Sequence, residues 1–472
     1  MSELISLIRL DAFAALDAVI AAAVTVHVLL RKRDVASALG WIGLAWLSPI
    51  LGGVLYFLLG INRVGRRARR FHRAARPAHG IAPPVPPEAP ADPLAALDHA
   101  AQRLSGRARL TGNAIVPLHN GDEAYPPMLA AIAAARHSVA LTSYILRGDA
   151  AGGAFLDALI AAAARGVAVR VLLDGIGSGY FVSPAYHRLR RAGVPCARFM
   201  HSPLPWQMPF LNLRTHKKIL VVDGTEAFTG GMNIAAENVL AMHPRAPVRD
   251  THFHVTGPVV AQLMDAFASE WSFVTGEALT GAHWFPRLHP AGDAAARVVT
   301  SGPDQDLEKI ELLLLHAIGA AQRSIVVQTP YFLPNDRLTT ALTLAAMRGV
   351  AVDIVQPQRG NHVLIDWASR ANNAPLLQAG CRIWLNKPPF DHGKLMVVDS
   401  TWCMAGSANW DVRSLRLNFE VVLDIASPPL AAALEADMLA ARGRRLTLAE
   451  LDKRRLPAKL RDALARLMLP YL

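Results

Sequence analysis

Two segments of this 472-residue chain carry the same side chains at the same spacing. His216, Lys218 and Asp223 stand in THKKILVVDGTEAFTGGMN, and His392, Lys394 and Asp399 stand in DHGKLMVVDSTWCMAGSAN. Both read His-x-Lys-x4-Asp. In both, an asparagine (Asn233 or Asn409) follows the histidine by 17 residues, behind a glycine-led pair, Gly230-Gly231 or Gly406-Ser407. A lone His-x-Lys is commonplace on a surface strand, but two copies with equal onward spacing are not. Residues two apart on a strand project to one face, so each His and Lys point together while ILVVD and LMVVD continue inward as core strand. The glycine-led pairs are expected to let the backbone turn tightly and approach an anion. Phosphodiester exchange without a metal needs a nucleophile, an acid for the departing alcohol and fixed positive charge on the phosphoryl oxygens. Two His, two Lys and two Asn meet that list.

The elements that must position these groups are themselves repeated. Leu129–Asp149 matches Leu314–Asp336 in a helix-then-strand pattern with a shared Ser-x5-6-Tyr spacing. Each is followed by an Ala- and Leu-rich helical run and then by Arg-Gly-Val-Ala-Val, at Arg165–Val169 and Arg348–Val352. A duplicated supersecondary unit of this size implies two α/β lobes of similar fold, brought together so that the two motifs share one active site. Short β-branched runs alternating with helical segments predict a mixed, largely parallel sheet covered by helices.

On these residues the chain resembles the phospholipase D superfamily, over roughly Asn113–Ala440. The run DVRSLRLNFEVVL at Asp411–Leu423, NLRTHKKILVVDG, the RDTH at Arg249–His252 and the expected N-terminal helix pair resemble, more narrowly, bacterial cardiolipin synthases. The resemblance implies a covalent phosphohistidine, with His216 as nucleophile by position and His392 as acid and base. It implies a carboxylate behind each imidazole: Glu420 matches the position used after His392, and Asp250 is the candidate in the first lobe. It further implies Asn233, Asn409 and Ser407 about the phosphate. Asp223 and Asp399 belong to the motif but, at the far ends of the core strands, are expected to be structural. The implied reaction joins two phosphatidylglycerols into cardiolipin and glycerol, with phosphatidylethanolamine a second possible donor. A hydrolase or nuclease using the same histidines is the rival enzyme. Intact motifs in both repeats argue against a non-catalytic lipid scaffold. No His-Glu-x-x-His, EF-hand or P-loop pattern occurs, so neither metal nor other cofactor is expected.

Composition sets the surroundings. The chain is 52% hydrophobic with a net charge of +12, which suits contact with lipid and with polyanions. Aromatics interleaved with basic residues are lacking, so no nucleic acid is expected as partner. Cys196, Cys381 and Cys403 are too few and scattered for a disulfide framework. Val35–Leu59 is charge-free for 25 residues and predicts a spanning helix, while Phe13–Leu30, which carries Asp17 and His27, is the weaker half of an expected helix pair at 1–64. Arg31, Lys32 and Arg33 against seven arginines between Arg63 and Arg76 place the lobes on the cytoplasmic side of a bacterial inner membrane, as a multi-pass protein. A basic, proline-rich linker is expected over 65–110, the lobes over 111–285 and 286–445, and a basic amphipathic helix over 446–472.

Overall fold

The computed structural model describes residues 2–32, 35–60, 90–202, 213–303 and 306–467. The basic stretch at 63–76 and most of the proline-rich spacer lie outside them. The chain divides into two compact units, Met1–Arg67 and Ala68–Leu472.

In the first unit, α1 (Ser2–Arg31) contains one stretch, Phe13–Arg31, long and apolar enough to cross a membrane. The expected second span is not continuous. α2 (Val35–Leu47) ends at Ser48, whose backbone leaves the helical region, and α3 (Pro49–Leu55) restarts at the proline. Pro49 has no N–H to donate and disfavours helical geometry at the residue before it. At 1.5 Å per residue the 13 residues of α2 reach about 20 Å, short of a hydrocarbon core of about 30 Å. The expected pair and the multi-pass topology are therefore replaced by a single apolar helix, and it is the one read as weaker. His27 in α1 is accommodated by a 2.7 Å hydrogen bond with the Tyr56 hydroxyl.

The second unit is built on a 15-stranded sheet that repeats itself. The first half contains β1 (Leu110–His119), β2 (Ser138–Ser143), β3 (Ala168–Asp174), β4 (Cys196–Phe199), β5 (Ile219–Val222), β6 (Glu226–Gly230) and β7 (Thr251–Thr256). The second contains β8 (Ala294–Ser301), β9 (Ser324–Gln328), β10 (Ala351–Pro357), β11 (Arg382–Asn386), β12 (Leu395–Val398), β13 (Trp402–Gly406) and β14 (Glu420–Ala426), with β15 (Arg444–Leu446) added at its edge. The order is β15-β11-β10-β9-β12-β13-β14-β8-β1-β7-β6-β5-β2-β3-β4. Each half thus has the same internal order, and the halves meet where β1 pairs antiparallel with β8. The sheet is mixed but not largely parallel: only β2-β3, β3-β4, β9-β10 and β10-β11 run parallel. The motif strands β5 and β12 instead lead by tight turns into antiparallel partners β6 and β13. Apolar, β-branched composition alone does not separate these two arrangements.

Residues 93–105, within the expected linker, form α4 (Pro93–Ser105). Asp92 caps it through a 2.8 Å bond from the Ala95 amide, Pro93 opens it, and Gly106 closes it in the left-handed region. Its Leu97 and Ala101 are buried in the second lobe's core. Another core runs under both halves of the sheet, joining Phe253 and Val255 to Val298 and Val421, with Phe199 of one lobe set edge-on against Phe419 of the other at 5.1 Å. Burying such rings contributes about 2–3 kcal/mol each, so the lobes hold together by packing as well as by the sheet. All three cysteines are free and buried.

The last helix, α5 (Leu456–Leu467), caps the second lobe through Asp462 and Ala465. Leu456, Leu460, Leu464 and Leu467 remain more than 60% exposed along its other side.

Candidate active site

Asp223 and Asp399 do not reach the chemistry. Each follows the inward end of its motif strand at positive φ and accepts backbone N–H groups from the start of the neighbouring strand. Asp223 takes those of Arg136, His137 and Ser138, and Asp399 those of Gln322, Arg323 and Ser324. They fasten β5 to β2 and β12 to β9 in identical fashion, at the ends of the strands away from the histidines.

At the other ends of these strands the two motifs face each other. His216, His392, Asn233 and Asn409 line one cavity of about 880 Å³, together with Tyr144, Arg147, Arg214, Tyr331, Arg413 and Asn418. The lysines lie beside it, 3% and 2% exposed. Lys218 Nζ donates 2.6 Å to the His216 carbonyl, and Lys394 Nζ donates to the carbonyl of His392. Burial lowers both ammonium groups, Lys218 to about 7 and Lys394 to about 8. In surroundings this dry, a phosphate anion is attracted to them far more strongly than in water.

The carboxylates are exchanged between lobes. Read within each lobe, Asp250 belongs with His216 and Glu420 with His392. Instead Glu420 Oε2 accepts from His216 Nδ1 at 3.0 Å, and Asp250 Oδ2 accepts from His392 Nδ1 at 2.8 Å. Short backbone ladders across the lobe boundary enforce this. The His216 amide donates to Phe419 O at 2.9 Å, one residue before Glu420, and the His392 amide donates to Arg249 O at 2.7 Å, one residue before Asp250. The next residue along each ladder is thereby delivered to the other lobe's imidazole. Because the Ser407 carbonyl also lies 3.0 Å from His216 Nδ1 and can only accept, that nitrogen carries the proton and Nε2 keeps its lone pair.

Ser407 and its counterpart Gly231 show what the glycine-led pairs are for. The Ser407 hydroxyl donates to Glu420 Oε2, and Asn418 Nδ2 donates to Oε1 at 3.2 Å. At Gly231 a β-carbon would stand 2.5 Å from Asp250 Oδ1, and at Gly406 it would stand 2.3 Å from Val421 O. The missing side chains make room for the orienting carboxylate and its strand.

Burial depresses both histidines, His392 to about 4 and His216 well below its ordinary range, with the neighbouring lysines adding to each. Burial lifts Glu420 to about 7. The empty site thus favours neutral imidazoles. The Oδ1 atoms of Asn233, Asn409 and Asn418 are buried without partners among the described residues, and as acceptors they suit a donor such as a lipid hydroxyl.

Sequence reasoning missed Tyr144 and Tyr331. Tyr144 stands edge-on to His216 at 5.0 Å with Lys218 Nζ 5.4 Å from its ring centre, and Tyr331 stands edge-on to His392 at 6.3 Å. Their signal was present: they are the tyrosines of the Ser-x5-6-Tyr spacing shared by the repeats.

Comparison with known proteins agrees with this geometry. A family model described as cardiolipin synthase, phospholipase D-like domain, matches twice, at residues 128–271 and 314–441, and a phospholipase D-nuclease N-terminal model matches 19–60. This chain belongs to the cardiolipin synthase family of the phospholipase D superfamily. It is 32% identical over 467 residues to the major cardiolipin synthase ClsA of Bacillus subtilis, covering 94% of this chain and 95% of that one. It is likewise 32% identical to cardiolipin synthase A of Pseudomonas aeruginosa, with 95% and 93% covered. Among solved structures, phosphatidylserine synthase of Haemophilus influenzae shares the fold, with a TM-score of 0.60 at 15% identity over 80% of this chain and 100% of that one. In this cardiolipin synthase family member the duplicated domain and the duplicated site are one feature, since each lobe completes the other's histidine.

Proposed function

We propose that the chain transfers a phosphatidyl group from one phosphatidylglycerol to the terminal hydroxyl of another, through a phosphohistidine on His216. The observation that carries this reading is the crossed pair, His216 on Glu420 and His392 on Asp250, around one cavity with two buried lysines. His216 Nε2 attacks phosphorus while the bond to the glycerol head group breaks, and His392 gives its proton to the departing alkoxide. Lys218, Lys394 and the asparagine amides carry the charge on the phosphoryl oxygens. His392 then takes the proton of the incoming hydroxyl, whose oxygen displaces His216 from phosphorus.

His216 takes the nucleophile's part by its place in the first motif. Burial and both lysines depress each histidine, and the Asp250 carboxylate at His392 Nδ1 favours the charged form of that ring and helps it carry a proton. Anionic phosphate in the cavity adds to that pull.

With one spanning helix, Arg31, Lys32 and Arg33 fall on the same side as the arginines from Arg63 to Arg76, so both clusters point the lobes to the cytoplasm. A reporter fused after Leu472 should be active only there, and activity on the outer side would overturn the orientation.

The reaction is tested with the purified full chain and labelled phosphatidylglycerol, with products identified by mass. Cardiolipin and free glycerol are expected. Phosphatidic acid as the main product would mean that water, not lipid, is the acceptor. Added phosphatidylethanolamine shows by released ethanolamine whether it also donates.

A further inference from the structure

Joining two phosphatidylglycerols makes a demand that hydrolysis does not: the acceptor brings a phosphate of its own, one glycerol away from the reacting phosphorus. The reacting phosphate is served by the histidines, lysines and asparagines. A second anion needs separate positive charge in the same cavity. Besides its histidines, the lining offers three cations, Arg147, Arg214 and Arg413. Arg147 is engaged by Glu237 at 3.5 Å.

Arg214 and Arg413 are different. Neither has a carboxylate within ion-pair range among the described residues. The acid that attracts Arg214 from a distance, Asp174, has its oxygens filled by the amides of Ile176, Gly177 and Thr215. Beside Arg413, Asp411 is held by the amide and hydroxyl of Ser414. The two guanidinium groups are near enough to repel one another. Two like charges that line one cavity, neither of them bonded to a carboxylate, favour an anion that enters between them.

Their placement fits an acceptor. Arg214 acts electrostatically on Tyr144, whose ring lies against His216, and Arg413 precedes Ser414, whose hydroxyl accepts from the Asn409 amide. Arg214 lies two residues before His216, and Arg413 lies in the 411–423 run.

We infer that Arg214 and Arg413 form a subsite for the phosphodiester of the acceptor lipid, which rests on the cardiolipin-forming reading above. In the second step the acceptor's terminal hydroxyl oxygen bonds to phosphorus, the phosphorus–His216 bond breaks, and the hydroxyl proton passes to His392. The arginines hold the acceptor's other end through its negative charge, and so they choose an anionic alcohol over a neutral one.

The experiment lets one phosphoenzyme partition between two acceptors. The full chain in detergent micelles of phosphatidylglycerol is given excess deuterated glycerol, so that each turnover yields cardiolipin or deuterated phosphatidylglycerol. In Arg214→Gln and Arg413→Gln the ratio of cardiolipin to deuterated product should fall about tenfold, and further in the double variant. Arg413→Lys should recover part of it, because charge remains while the paired donors are lost. Loss of both products in step, or an unchanged ratio, would overturn the inference, since the arginines would then serve the donor or the fold. A wild-type protein that makes deuterated phosphatidylglycerol but no cardiolipin would instead sink the synthase reading itself.

Discussion

In a His216→Ala protein, cardiolipin formation should fall by on the order of a thousandfold or more, and no acid-labile phosphoenzyme should form. Nucleophile and acid act as one unit, so loss of either removes most of the chemical acceleration and the effects do not add. His392→Ala should therefore stop turnover of ordinary lipid just as thoroughly, because a glycerol alkoxide leaves badly without a proton. The two variants separate on an activated ester. A nitrophenyl leaving group hardly needs the acid, so His392→Ala should still phosphorylate His216 and then stall, with no base to activate the next alcohol. Trapped phosphoenzyme mapped by peptide mass decides the matter. Label on His392 in the wild type, or trapping in His216→Ala but not in His392→Ala, would mean that the roles are reversed.

Glu420→Gln should lower turnover by about a hundredfold to ten-thousandfold, the range seen when an orienting carboxylate behind a catalytic histidine is made an amide. The carboxylate is fully buried and only accepts: Oε2 from His216 Nδ1 and the Ser407 hydroxyl, Oε1 from Asn418. Glutamine replaces one acceptor by a donor. It then sets a donor against either the Asn418 amide or the His216 N–H in a fully buried place. Because the carboxylates are exchanged between lobes, the step affected identifies the partner. Glu420→Gln should slow labelling of His216 by the activated ester, whereas Asp250→Asn, acting through His392, should leave labelling fast and block its resolution. The opposite pattern would show that each carboxylate serves the histidine of its own lobe.

The motif, the repeat and the family were legible in the sequence because each depends on residue identity at short, fixed spacing. Two His-x-Lys-x4-Asp segments with equally placed asparagines are linear facts, as is the duplicated helix-then-strand pattern that holds them. The distance of Asp223 and Asp399 from the histidines also followed from position, since a residue beyond a four-residue core strand stands at its other end. The anchor was misread because apolar length outweighed one dipeptide: Ser48-Pro49 breaks a helix whose composition otherwise permits it.

What only the tertiary structure decided is who meets whom. Strand direction was hidden because apolar, β-branched runs look alike in parallel and antiparallel pairs, and pairing is set by partners far away in the chain. The exchange of Glu420 and Asp250 arises from two ladders across the lobe boundary, Phe419 with His216 and Arg249 with His392, joining residues more than 140 positions apart. No local spacing encodes such a contact. Tyr144, Arg214 and Arg413 were likewise visible as residues but not as a site, because their shared cavity exists only once both halves of the sheet have closed around it. Sequence specified the reacting groups, which are local; packing assigned their partners, which are not.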